Sequence, residues 1–175
     1  ELYEATFKID YLEKAIIINK TMIDLFGDET GEGFFYTGKD NETLLLRNKE
    51  VYDGAIPSGN SVATMNILRL SRMIGDTDLE KKGERIFSAF SSQIAKHPVG
   101  STYFLQALDF VLGPFQRIVI VSEEKDQTTM EIIQLLQKKF LPHKVVLLQT
   151  RDWDETQIKK IFSSTSSEIA FDARP

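Results

Sequence analysis

The dipeptide Gly113-Pro114 separates two kinds of apolar periodicity in this chain, and that switch constrains the fold more than any other feature. Before it, apolar residues recur at helical spacing. Over residues 2–26, Leu2, Ile9, Leu12, Ile16, Ile23 and Phe26 share one stripe, and Gly27 stops it. Residues 62–74 are apolar on most sides, and residues 79–95 turn Leu79, Ile86, Phe87, Phe90 and Ile94 to one face. His97-Pro98 closes that helix, because the residue before a proline is pushed out of helical geometry. A fourth helix is predicted over residues 101–112. Residues 34–37 and 43–47 flank the polar turn Gly38-Lys39-Asp40-Asn41, which predicts a β-hairpin.

After the switch come a β-branched run at residues 117–121, an amphipathic stretch at 127–140 and a second β-branched run at 144–148. Strand, crossover helix and strand of these lengths predict a parallel, right-handed βαβ unit. A helix at about residues 154–163 and a short strand at 169–171 would extend it. The expected fold class is therefore α+β, with a helical part at 1–114 that carries a hairpin insertion and a small α/β part at 115–175. A faint echo, Tyr11-Leu12-Glu13-Lys14 against Asp78-Leu79-Glu80-Lys81, suits repeated helical hairpins. Glu1 opens the chain without a Met and already close to an amphipathic pattern, as a piece of a longer protein would.

Composition narrows the function classes. There is no cysteine among the 175 residues, which excludes disulfides, thiolate metal sites and a thiol nucleophile within them. The net charge of −5 lacks the attraction that drives binding to nucleic acid or anionic lipid, so neither a nucleic-acid nor a membrane partner is expected. No apolar stretch approaches the length needed to cross a bilayer, and the cytoplasm is the favoured compartment. Residues 1–57 hold 12 acidic and 6 basic side chains, so the acidity gathers around the first helix and the hairpin. Such charge runs ordinarily face water.

The segment from Lys49 to Ser61 concentrates polar chemistry. Glu50 and Asp53 are two nearby carboxylates, the pairing that general acid and base catalysis on glycosidic or hydroxyl substrates requires. Ser58 and Asn60 lie beside a helix start, where unpaired N–H groups receive an anion or a sugar hydroxyl. With Tyr36 they form a candidate polar wall: Glu50 and Asp53 as catalytic candidates, Tyr36, Ser58 and Asn60 as substrate-binding candidates. The architectural alternative is that Pro57 stiffens the loop while Ser58 or Asn60 caps the helix.

Other chemistry finds less support. His97 and His143 are the only imidazoles, and neither has partners for a metal site. No serine sits in a nucleophile elbow. The turn after the first strand, Ser122-Glu123-Glu124-Lys125-Asp126, has no glycine to admit a pyrophosphate, so nucleotide binding is disfavoured. No cofactor is expected, and Trp153 reads as a packing residue.

Lys49-Glu50, Asp53-Gly54-Ala55 and Pro57-Ser58-Gly59-Asn60-Ser61, followed by Ala107-Leu108-Asp109-Phe110 and Phe140-Leu141-Pro142, resemble the C-terminal third of the spermatogenesis-associated, YyaL-like proteins. The resemblance covers nearly the whole chain. It implies an N-terminal thioredoxin-like domain and most of a six-hairpin, glycosidase-like α/α toroid elsewhere in the parent protein, with an incomplete portion of the toroid here. It further implies a sugar-like molecule in the toroid cavity as one expected partner and the thioredoxin-like domain as another. Two functions follow as expectations: a carbohydrate-active or carbohydrate-binding fragment, or a non-catalytic scaffold serving the thioredoxin-like domain.

Overall fold

The computed structural model describes residues 1–42, 46–151, 153, 161 and 162. The fold is α+β, a set of helices followed by a two-stranded parallel sheet with a crossover helix. The stripe over residues 2–26 makes two helices rather than one, α1 (Leu2–Thr6) and α2 (Ile9–Phe26). Phe7 breaks the run with φ 51, in the left-handed region. That conformation costs roughly 1–2 kcal/mol for a residue with a Cβ. It is offset here by burial of the Phe7 ring, which meets Tyr3 edge-on at 5.6 Å.

Helix α3 (Gly59–Ile74) starts at Ser58, whose hydroxyl accepts from the Ser61 amide at 3.2 Å, and stops at Gly75 with φ 77. Helix α4 (Thr77–Lys96) starts at Asp76, whose carboxylate accepts from the amides of Asp78 and Leu79 at 3.1 and 2.9 Å. Gly83 lets α3 and α4 approach closely, since a Cβ there would lie 2.7 Å from Leu68 Cδ2. A 3-10 turn (Pro98–Ser101) leads into α5 (Thr102–Leu112).

Beyond Gly113, strand β1 (Gln116–Val121), α6 (Gln127–Gln137) and β2 (Lys144–Gln149) form the expected parallel unit, in register from Gln116–Lys144 to Val121–Gln149. Helix α6 ends three residues before Phe140, whose side chain is 91% exposed rather than inward. Pro142 disfavours helical geometry at Leu141 and so limits how far α6 can run.

The expected β-hairpin is not formed in its described half. Residues 34–37 contain no strand; Phe34 makes a single antiparallel bridge to Gly27, and the Tyr36 amide donates to Asn48 O at 2.8 Å. The polar groups of Phe34 are taken by a side chain, Asn60, instead of a cross-strand partner. Residues 43–45 lie outside the described residues. So do the helix and strand expected at 154–163 and 169–171, apart from Ile161 and Phe162. Both of these are buried, and Phe162 stacks on buried Trp153 at 6.3 Å.

Among the described residues, two apolar cores hold the helices. One joins Tyr3, Leu12, Leu68, Ala107 and Phe110 to Ile120, Ile133 and β2, and so runs on both sides of Gly113. Tyr3 fastens it: its hydroxyl lies 3.1 Å from the Leu148 amide and 3.5 Å from the Leu148 carbonyl. Glu4 adds a second tie, accepting from the Val146 amide at 3.1 Å while pairing with Arg69. The other core gathers Phe34, Val51, Ala63, Ile67, Ile86, Phe90, Ile94 and Phe104 between α3, α4, α5 and the 27–58 segment. The polar residues between 49 and 61 lie along its edge.

Candidate functional site

Residue 33 opens the site. Gly33 has φ 89, and a Cβ there would come within 2.7 Å of the Phe90 ring and 3.0 Å of Asn60 Oδ1. Only glycine lets the backbone approach Asn60 this closely. The next residue, Phe34, donates its amide to Asn60 Oδ1 at 2.7 Å, and its carbonyl accepts from Asn60 Nδ2 at 2.9 Å. The second Nδ2 hydrogen bond goes to the Glu50 carbonyl, also at 2.9 Å. Buried Asn60 therefore holds two stretches of main chain together, and its amide has no unused hydrogen on Nδ2.

Asp53 performs a similar task with a charge. Oδ1 accepts from the Ser58 amide at 2.8 Å; Oδ2 accepts from the amides of Tyr103 at 2.8 Å and Phe104 at 3.2 Å. The latter two are among the unpaired N–H groups of the first turn of α5, so Asp53 caps that helix from a distant part of the chain. Partial burial pushes the Asp53 carboxyl upward. The bonds from the Ser58 amide, the Ser61 hydroxyl and the Phe104 and Tyr103 amides together outweigh it and hold the pKa below the ordinary carboxylate value. An acid so held is ionised at neutral pH and has no proton to donate.

Ser58 is buried, with its hydroxyl 2.8 Å from Ser61 Oγ and on the Ser61 amide. Of the two residues considered as caps for this helix, Ser58 is the one, and Asn60 lies inside the helix. The Asp53 amide bonds Gly100 O at 2.7 Å, and Ser101 Oγ donates to Val51 O at 3.1 Å, so the same loop is stitched to the entry of α5.

Glu50 and Tyr36 stand apart from this network. Both are exposed, and both line a cavity of about 270 Å³ with Phe34, Phe35, Met22 and Asn60. The Glu50 carboxylate has no hydrogen-bond partner among the described residues. Asp53 and Ser58 are not on the wall of this cavity. The five candidates thus divide into three committed to main chain (Asp53, Ser58, Asn60) and two that face solvent.

The ion pairs of two further centres, one beside the site and one at the far end of α3, are not marked in the sequence pattern. Lys49 pairs with Asp28, donates to Glu32 O at 2.7 Å, and lies 5.0 Å from the Phe35 ring centroid. The Lys49 ammonium, with help from the Thr30 amide, holds the Asp28 carboxyl well below the usual carboxylate range. Arg72 reaches Glu80 at 2.9 Å and Phe110 O at 2.7 Å while covering the Phe115 ring at 4.5 Å. A charged residue far along the chain from its partner leaves no mark in a periodicity; Lys49 and Asp28 are 21 apart. Among the described residues, no three His, Asp or Glu side chains converge as a metal site requires, and no helix is long and apolar enough to cross a membrane.

No protein-family model matches the chain. It is similar to spermatogenesis-associated protein 20 of Homo sapiens, 33% identical over 153 residues, which is 87% of this chain and 20% of that protein. The Mus musculus protein of the same name is 32% identical over the same length, 19% of its own. An uncharacterized protein of Caenorhabditis elegans is 28% identical over 87% of this chain and 21% of its own length. The chain spans about a fifth of the curated relatives it matches.

Proposed function

We propose that this chain belongs with the spermatogenesis-associated, YyaL-like proteins and serves its parent as a non-catalytic scaffold, a toroid-derived segment that supports a thioredoxin-like domain and the molecules presented to it. The similarity over 87% of the chain supports the family assignment. One observation carries the scaffold reading: Asp53, Ser58 and Asn60 direct their polar atoms at backbone groups of residues 34, 50, 58, 61, 103 and 104. A substrate-binding wall needs polar groups with capacity left over, and a general acid needs a proton. Asp53 has neither.

A second reading rests on a different observation. Glu50 has an uncommitted carboxylate on the same cavity wall as the exposed Tyr36 ring and Phe35. Aromatic faces beside a carboxylate suit a sugar-like ligand, with Glu50 as the acid or base.

The two are separated in the full-length parent by comparing Glu50→Gln and Asp53→Ala. Sugar binding is followed by calorimetry and stability by thermal unfolding. The scaffold reading expects Asp53→Ala to lower the melting temperature and Glu50→Gln to change neither measurement. A sugar bound or turned over by the parent, and lost in Glu50→Gln, would replace it with the carbohydrate reading.

A further inference from the structure

The segment Phe140-Leu141-Pro142 follows α6 and takes no part in either core. Its turn is nonetheless fixed. The Lys139 amide donates to Leu136 O at 3.3 Å, the Lys144 ammonium donates to the same carbonyl, and the Lys144 amide donates to Leu141 O at 3.3 Å. Phe140 is thereby held with its ring in water. Beside it lies a cavity of about 260 Å³, whose wall includes Arg69 from α3, Lys139 and Lys144, with Glu4 as its one carboxylate among the described residues.

The groups that could neutralise these cations are already spent. One Glu4 oxygen pairs with Arg69, and the other accepts from the Val146 amide at 3.1 Å. Arg69 uses one of its five N–H groups in that pair, and Lys144 uses one of three on Leu136 O. The Lys139 ammonium has no acceptor among the described residues. The free carbonyls at the end of α6 add a charge of about −0.5, so three cations against Glu4 and that helix end leave about +1.5 around the cavity. The chain as a whole carries −5. Single lysines ordinarily face water. Here Arg69 and Lys144 are half-buried and bonded in place, so their remaining donors are ordered before any ligand arrives.

We propose that this cavity binds a small organic anion. Its carboxylate or phosphate oxygens accept from Arg69, Lys139 and Lys144, and its ring or short hydrocarbon part lies against Phe140. Donors on a guanidinium and two ammonium groups make short, charge-assisted bonds to such oxygens. The volume is at the small end for a ligand site and suits one ring carrying one charged group. The site shares no lining residue with the cavity beside Glu50, so the proposal does not depend on the scaffold reading or on the roles of Asp53 and Glu50.

The test uses the full-length parent at low ionic strength, titrated in a calorimeter with phenyl phosphate, benzoate and inorganic phosphate. At least one of the two ring-bearing probes is expected to bind with a Kd below about 1 mM. Added salt should weaken it. Lys139→Gln, which changes an exposed side chain with no partner to lose, is expected to weaken binding about tenfold. Phe140→Ala is expected to weaken the ring-bearing probe about threefold or more and to leave inorganic phosphate as it was. The tighter of phenyl phosphate and benzoate identifies the oxyanion. No binding at about 10 mM, or binding of inorganic phosphate alone, would overturn the proposal. So would an affinity unchanged in Lys139→Gln, or an equal loss in Lys20→Gln, which removes a cation outside the cavity and reports only the general field of the protein.

Discussion

Asp53 joins the starts of two helices, α3 and α5, that lie far apart in the chain, and its substitution is the sharpest test at the scale of a residue. Removing its acceptors in Asp53→Ala leaves the Ser58, Tyr103 and Phe104 amides without partners, and a cost of about 1–2 kcal/mol in the free energy of unfolding is expected from chemical denaturation. The pH dependence follows from the direction of the shift. A carboxyl whose folded pKa is depressed contributes stability at pH values above its unfolded pKa, and the contribution is lost as pH falls through the folded value. Acid unfolding curves should therefore fall less steeply in Asp53→Asn than in the native sequence; superimposable curves would contradict the assigned bonds. Tyr3 supplies the opposite sign. Burial, reinforced by Glu4, pushes its phenol up to about 12 against the hydrogen bond to Leu148, so it stabilises the fold below its ordinary value of 10.0. That contribution is lost as pH rises from there through about 12. Tyr3→Phe should remove this alkaline loss and cost about 1–3 kcal/mol at neutral pH by leaving the Leu148 amide unpaired, as measured by denaturant titration across pH.

Among elements, helices with local stop and start chemistry were legible in the sequence, and irregular segments held by distant side chains were not. Gly27, the Gly75-Asp76 pair and His97-Pro98 mark their helix ends by backbone chemistry that needs no tertiary partner. The βαβ unit was legible because two β-branched runs around an amphipathic helix leave few other arrangements. Residues 34–37 misled because their aromatic run and the polar turn after them satisfy a hairpin pattern locally, while the bonds that fix Phe34 come from Asn60, 26 residues away. The break at Phe7 is hidden for the same reason, since it depends on a ring being buried against Tyr3. At the candidate site, spacing drew attention to the loop at residues 49–61 and left open whether its polar groups face a ligand or the backbone. Gly33→Ala tests how that segment is held: the φ of 89 and the approach of Phe90 and Asn60 predict a loss of about 1–3 kcal/mol in denaturant unfolding. Gly59→Ala, at a position with open space around it, should change little.

At the scale of the whole molecule, the loop between 49 and 61 links the start of α3, the start of α5 and the 26–36 segment around a single apolar core. Tyr3 and Glu4 meanwhile bind the opening helix to the sheet. Asp53, Ser58 and Asn60, which look like chemistry in the sequence, bond main chain here, in a chain whose similarity covers about a fifth of its relatives' length. The most direct measurement of this claim is amide hydrogen exchange in the full-length parent, native sequence against Asp53→Ala, at residues 58, 103 and 104. The account predicts that all three amides exchange faster together, by about tenfold, while amides in β2 keep their protection. Unchanged exchange at the three positions, with loss of binding to a sugar in the same variant, would contradict it.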